Sequence, residues 1–179
     1  MSEVLDKPVA QAPSEGAKMV IPAFRGAKAI ELDISSTRAS EARFHEVKLV
    51  NPVTYVDLEH SFNESYRELK RHSATIGYQI TMAEKALEQT KATIILDKYP
   101  EYMAGKPKSS DNADVRKAYM MRDNDYLEVL DRIAMLRAME SFVDGRLKVI
   151  ENVARYMRKQ MDLIIRSGIS SNYYSTQGK

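Results

Sequence analysis

Apolar side chains recur in steps of three and four along two long stretches of the chain. In the first stretch Tyr66, Leu69, Ser73, Ile76, Ile80, Ala83, Leu87, Thr90 and Ile94 keep a mean spacing of about 3.5 residues. In the second, Tyr126, Val129, Ile133, Leu136, Glu140, Val143, Leu147, Ile150, Ala154, Met157, Met161 and Ile164 do the same. That spacing keeps every such residue on one side of a helix, so each stretch predicts an amphipathic helix with a coiled-coil-like seam.

The boundaries follow from local chemistry. Asn51-Pro52 opens the first helix, since Asn accepts hydrogen bonds from free amides and Pro suits the first helical turn. Tyr99-Pro100 is expected to end it, followed by a polar connection from Glu101 to Asn112 and a short helix from Ala113 to Met121. Asp123-Asn124-Asp125 places carboxylates at the positive end of the second long helix, and Gly168 is expected to stop it. Each helix then has about 45 residues and a length of roughly 65–70 Å. Equal lengths and a short joint predict an antiparallel pairing.

The amino-terminal region reads differently. Residues 1–18 are polar, contain Pro8, Pro13 and Gly16, and are expected to form a flexible arm. Met19 to Ile34 is a short β-like stretch, in which Ile30, Leu32 and Ile34 alternate with Glu31 and Asp33, and it predicts one strand that must either dock or pair with another chain. A short helix is expected between Ser36 and Val47. The predicted fold is therefore all-α: a long antiparallel helical hairpin with a short intervening helix, plus an irregular amino-terminal arm holding one candidate strand. The divisions are a partly flexible amino-terminal arm over 1–50, a helical hairpin domain over 51–168, and a flexible tail over 169–179.

Leu127, Leu130, Met139, Val149, Val153 and Leu163 widen the second stripe beyond one seam, so two helices alone cannot bury all of it. Self-association is the simplest remedy, through an interface expected at Ile76, Ile80, Leu87, Ile133, Leu136, Val143, Leu147, Ile150 and Met157. The competing reading is that the amino-terminal segment covers the surplus.

Composition narrows the classes. The 179 residues carry a formal charge of +2, which argues against a histone-like or membrane-surface peptide. Without Cys there are no disulfides, iron–sulfur clusters or thiolate zinc sites. No apolar run approaches the ~20 residues of a membrane span, and the start lacks a signal-peptide core, so the cytoplasm is the expected location.

Catalytic patterns are missing. Gly105-Lys106 fails as a phosphate-binding loop, because Pro100 stands where Gly is required and Pro107 where a hydroxyl should hold magnesium. His45, His60 and His72 are scattered, and Glu59-His60 lacks the second His of a zinc helix. Glu84 and Glu88, one turn apart beside Lys85 and Lys91, read as a solvated face. No catalytic residue, metal or cofactor is expected.

Charge distribution says more. Residues 123–144 carry six acidic and two basic side chains, whereas 145–167 carry six basic ones (Arg146, Lys148, Arg155, Arg158, Lys159, Arg166) against Glu151 and Asp162. Nucleic-acid phosphates would suit the basic half. About half of these cations are expected instead to pair with Glu59, Glu64 and Glu68 on the facing helix. A second basic group surrounds the joint: Lys91, Lys98, Lys106, Lys108, Arg116 and Lys117, interleaved with Tyr99, Tyr102 and Tyr119. Cations beside aromatics suit single-stranded nucleic acid, where phosphates need charge and splayed bases need stacking surfaces.

From about Tyr66 to Gly168 the order of features resembles the phage recombination mediators of the UvsY type. The likeness rests on Tyr66, Leu69 and His72-Ser73, then Lys91-Ala92 before the ending Leu96-Asp97-Lys98-Tyr99. It continues with a short helix and with Asp123-x-Asp125 opening a long helix that runs to Met161-Asp162. The resemblance implies a ring-shaped homo-oligomer without catalytic residues. Such a protein binds single-stranded DNA and helps load a RecA-like recombinase against a single-strand-binding protein. It also implies a basic Lys-Ala-Arg segment late in the first helix, where this chain has Lys91-Ala92-Thr93, so Lys98 or the loop lysines would have to compensate. The alternative is a structural or assembly protein of a virion, using the hairpin only for protein contacts and adding residues 29–34 as a strand to a neighbour. Met19 to Phe24 and Tyr173-Tyr174 would suit that role. An enzyme is the third reading.

Overall fold

The computed structural model of the chain describes residues 18–48, 50–107 and 111–176, with side chains described as far as residue 168. The expected flexible arm therefore lies almost wholly outside the described residues, as do Lys108 and the side chains of the expected tail.

The elements are β1 (Lys18–Ile21), β2 (Ile30–Asp33), α1 (Ser35–Glu46), α2 (Pro52–Thr93), a π-helical turn (Ile94–Lys98), α3 (Tyr99–Met103), α4 (Ala113–Met120) and α5 (Asn124–Thr176). Helices α2 and α5 form the long antiparallel pair. Backbone contacts divide the chain into two units, residues 1–69 with 147–179 and residues 70–146.

In the first unit the β-like stretch expected as one strand over 19–34 is two strands that pair with each other. Antiparallel β1 and β2 pair Lys18 with Asp33 and Ile21 with Ile30. Arg25 (φ 43°) and Gly26 (φ 83°) both take left-handed backbone between the mutually bonded Phe24 and Ala27. Two such residues in succession make the tight turn whose twist matches a hairpin. Of the two ways a lone strand could be stabilised, docking or pairing with another chain, neither is needed, because a second strand of the same chain pairs with it. The hairpin was missed because Arg-Gly is a weaker turn signal than Asn-Gly. Ile21 and Leu32 point inward, while Lys18 and Glu31 meet at 3.0 Å on the outer face.

Helix α1 packs on the start of α2 through small hydroxyl side chains. Ser40 Oγ lies 2.6 Å from Ser61 Oγ and 2.8 Å from Ser65 Oγ, and donates to the Ser36 carbonyl at 2.9 Å. Ser36 in turn bonds Glu68. Phe44 sets its ring edge-on against Phe62 and Tyr156, at centroid distances of 6.0 and 6.2 Å. Leu58, Phe62, Leu69, Leu147, Ile150 and Met157 complete this core. Asn51 caps α2 as expected: its Oδ1 accepts from the Val53 and Thr54 amides at 3.0 Å each, and its own amide donates to Thr54 Oγ1 at 2.9 Å.

In the second unit Ile76, Ile80, Ala83, Thr90 and Ile94 face Tyr126, Val129, Ile133, Leu136 and Val143. Pro100 does not end the first helix. The chain stays helical to Met103 by widening first into the π turn, where the Tyr99 amide donates to the Ile94 carbonyl five residues back. That wider turn shifts the bonding register just before a residue with no amide and a bulky ring. Gly105 (φ 80°) then reverses the backbone. Asn112 caps α4, its side chain accepting from Val115 N at 2.9 Å, and Asp123 caps α5 by accepting from Tyr126 N at 3.2 Å.

Two further expectations need correction. Helix α5 passes through Gly168 and ends at Thr176, since helical backbone on both sides carries a glycine that costs it only about 1 kcal/mol. The residues expected at an oligomer interface are largely spent inside one chain. Ile76, Ile80, Ile133, Leu136, Val143, Leu147, Ile150 and Met157 are buried and Leu87 is half-buried. A 3.5-residue seam is equally satisfied by a helix of the same chain, and the hairpin supplies one. Among the described residues no helix is long and apolar enough to cross a membrane.

Candidate nucleic-acid interface

The cations expected at the joint are mostly engaged already. Lys91 Nζ reaches Glu88 at 2.7 Å, and Lys98 contacts Asp123 directly and Asp125 at 3.7 Å. Arg116 grips Asp111 with two parallel bonds of 2.7 Å, from Nε and Nη2. Those bonds, with a third from the Tyr99 hydroxyl at 2.9 Å, lower the Asp111 carboxyl to about 2. Lys106 Nζ sits 3.1 Å above the centre of the Tyr102 ring. Lys117 is exposed and has no ion-pair partner among the described residues.

The tyrosines are engaged too. Tyr99, only 5 % exposed, lies 5.9 Å from Tyr102 and 5.5 Å from Tyr119, which are 4.7 Å from each other between ring centres. The Tyr119 hydroxyl donates to the Lys98 carbonyl at 3.2 Å. This cluster fastens the π turn, α3 and α4 to one another. Its rings stack on each other, and three of its cations, Lys91, Lys98 and Arg116, are already paired with carboxylates.

The basic half of α5, in the first unit, is arranged differently. Lys148, Arg155, Lys159 and Arg166 are exposed, and none forms an ion pair among the described residues. They are seven, four and seven residues apart, so at 100° per residue they share one face, opposite buried Ile150 and Met157. The column spans about 27 Å. Asp162 and Glu151 are the acidic residues that border that face. The carboxylates of the first helix that were expected to pair with these cations have partners nearer by among the described residues. Glu59 accepts from the Tyr55 hydroxyl at 3.0 Å, Glu64 lies 3.3 Å from His60 Nε2, and Glu68 takes the Ser36 hydroxyl.

Beside the column a cleft of about 350 Å³ opens between the first part of α2 and the last part of α5. Phe62, Ile150 and Met157 form its floor, and Tyr55, Glu59, Tyr66, Glu151, Arg155 and Arg158 its polar rim. The Tyr66 hydroxyl donates to Glu151 at 3.4 Å. At the other end Arg158 faces the Tyr55 hydroxyl, whose pKa is raised by burial and by Glu59. Sequence reasoning missed this cleft. Its signal was the run Tyr55, Glu59, Asn63, Tyr66, which shares one helical face but looks like an ordinary polar flank.

Comparison of the chain with protein-family models, with curated proteins and with solved structures finds no match.

Proposed function

We propose that this protein is a non-enzymatic recombination mediator that binds single-stranded DNA along the outer face of α5. The observation that carries the reading is the column of Lys148, Arg155, Lys159 and Arg166, four exposed cations in register that form no ion pair among the described residues. Such a column can displace counterions from a phosphate backbone and keep the free energy of their release. The joint supports binding less well, because forming new contacts there first requires breaking ion pairs.

The likeness to phage mediators from Tyr66 to Gly168 supplies the role: loading a RecA-like recombinase in competition with a single-strand-binding protein, as a homo-oligomer. Association would use surfaces other than the intrachain seam. Val149, Tyr156 and Leu163, exposed and seven residues apart on α5, also suit the second reading of an assembly protein.

Titrating a labelled single strand at increasing salt tests the binding. The expected result is an affinity that falls steeply with salt, and absence of binding at low salt removes the proposal. Adding the protein to a RecA-like recombinase on strand coated with single-strand-binding protein tests the role. Filament assembly should accelerate, and binding without acceleration favours the assembly reading.

A further inference from the structure

We infer that the cleft beside the α5 column receives an unstacked base of the bound single strand. The inference rests on the phosphate-binding reading above and names what else the same face recognises. A base has flat apolar faces, a polar edge and a phosphate on either side. The cleft offers an apolar floor at Phe62, Ile150 and Met157, flanking aromatic rings at Tyr55 and Tyr66, and arginines on the rim. Tyr55 and Tyr66 are eleven residues apart, about 16 Å along α2, so the opening is long enough for a nucleoside laid along it.

The link to the column is Arg155, which lines the cleft and also belongs to the exposed stripe with Lys148, Lys159 and Arg166. A strand whose phosphates follow the stripe therefore passes the mouth of the cleft. The rim argues against a free phosphate or a simple dianion as the occupant, because Glu59 and Glu151 share it with Arg155 and Arg158. Carboxylates are instead good acceptors for the exocyclic amines of cytosine, adenine and guanine, which thymine lacks. Their present partners are the Tyr55 and Tyr66 hydroxyls, at 3.0 and 3.4 Å. The tyrosine cluster at the joint offers no such vacancy, since its rings already stack on one another. A duplex hides the faces of its bases, so this recognition is confined to single strands.

The test compares three labelled strands of equal length on the full chain at one salt concentration: oligodeoxycytidylate, oligodeoxythymidylate and a strand with every base replaced by an abasic sugar. The abasic strand is expected to bind at least about tenfold more weakly than oligodeoxycytidylate, in keeping with the measured value of base stacking on aromatic side chains. Its salt dependence should be the same, because its phosphates are unchanged. Ala154→Leu, which fills the cleft, should lower oligodeoxycytidylate to the affinity of the abasic strand. Glu59→Gln with Glu151→Gln, a milder change, should erase the preference for cytosine over thymine while leaving the strand bound. Equal affinity of base-bearing and abasic strands for the unaltered protein overturns the inference and leaves the phosphate reading standing. Failure of every strand to bind at low salt overturns both.

Discussion

Two leucines on α5 offer a matched test of the packing. Leu136 is 0 % exposed, on the seam facing α2, whereas Leu163 is 59 % exposed on the same helix. Truncating each to Ala removes the same atoms from helices of the same propensity, so any difference reports burial. Leu136→Ala loses the transfer free energy of the side chain and leaves a cavity its neighbours fill only partly, a loss of about 2–5 kcal/mol. Leu163→Ala should stay within about 0.5 kcal/mol of the parent. For a chain of this size the first change corresponds to a drop in Tm of about 5–15 °C, and the second to a degree or two at most. Far-UV circular dichroism during thermal and urea unfolding measures both. Equal losses at the two positions would refute the assigned seam, as would a larger loss at Leu163.

Smaller perturbations test the local devices. Asn51→Ala removes the acceptor of two α2 amides and should cost about 1 kcal/mol in urea unfolding, with Asn51→Asp retaining most of it. Ser40→Ala deprives Ser61 and Ser65 of a shared partner and should cost about 1–2 kcal/mol. Thr37→Val should be neutral or stabilising, because the buried Thr37 hydroxyl has no hydrogen-bond partner among the described residues. The Asp111 carboxyl, held at about 2 against an ordinary 3.8, stabilises the fold above its unfolded pKa. That contribution is lost as pH falls from about 5 through 2, so Asp111→Asn should flatten the acid limb of a stability–pH profile while leaving a constant deficit at neutral pH.

The long helices were legible because their cause is periodic. Each position from Leu69 to Ile94 and from Tyr126 to Met157 on the predicted seams is buried or half-buried, including the polar members Ser73, Thr90 and Glu140. The caps at Asn51 and Asp123 were equally readable, since capping depends on neighbours in sequence. What depends on distant partners was not. The run of residues 18–33 looks like one strand and loose arm until Lys18–Ile21 folds back on it. Pro100 reads as a stop because a widened turn leaves no mark in the residue pattern. The joint lysines and tyrosines read as a vacant binding surface because Asp111 and Asp123 come beside Arg116 and Lys98 only on folding. The α5 cations read as half neutralised because the hydroxyls that take Glu59 and Glu68, Tyr55 one turn earlier and Ser36 on α1, do not show as competitors in the charge pattern. Periodicity records which face is buried, and it is silent about which charges meet.

The salt dependence of single-strand binding by two charge-removal variants decides whether the strand lies along α5 or at the joint. One variant replaces Lys148, Arg155, Lys159 and Arg166 with Ala, and the other replaces Lys91, Lys98, Lys106 and Arg116. Four phosphate contacts account for a slope of log affinity against log salt of about −2.8, at roughly 0.7 per contact on single strands. The first variant is expected to lose that share of the slope and most of the affinity at low salt, while the second binds nearly as the parent does. Unchanged binding by the α5 variant with collapse of the joint variant would contradict the account.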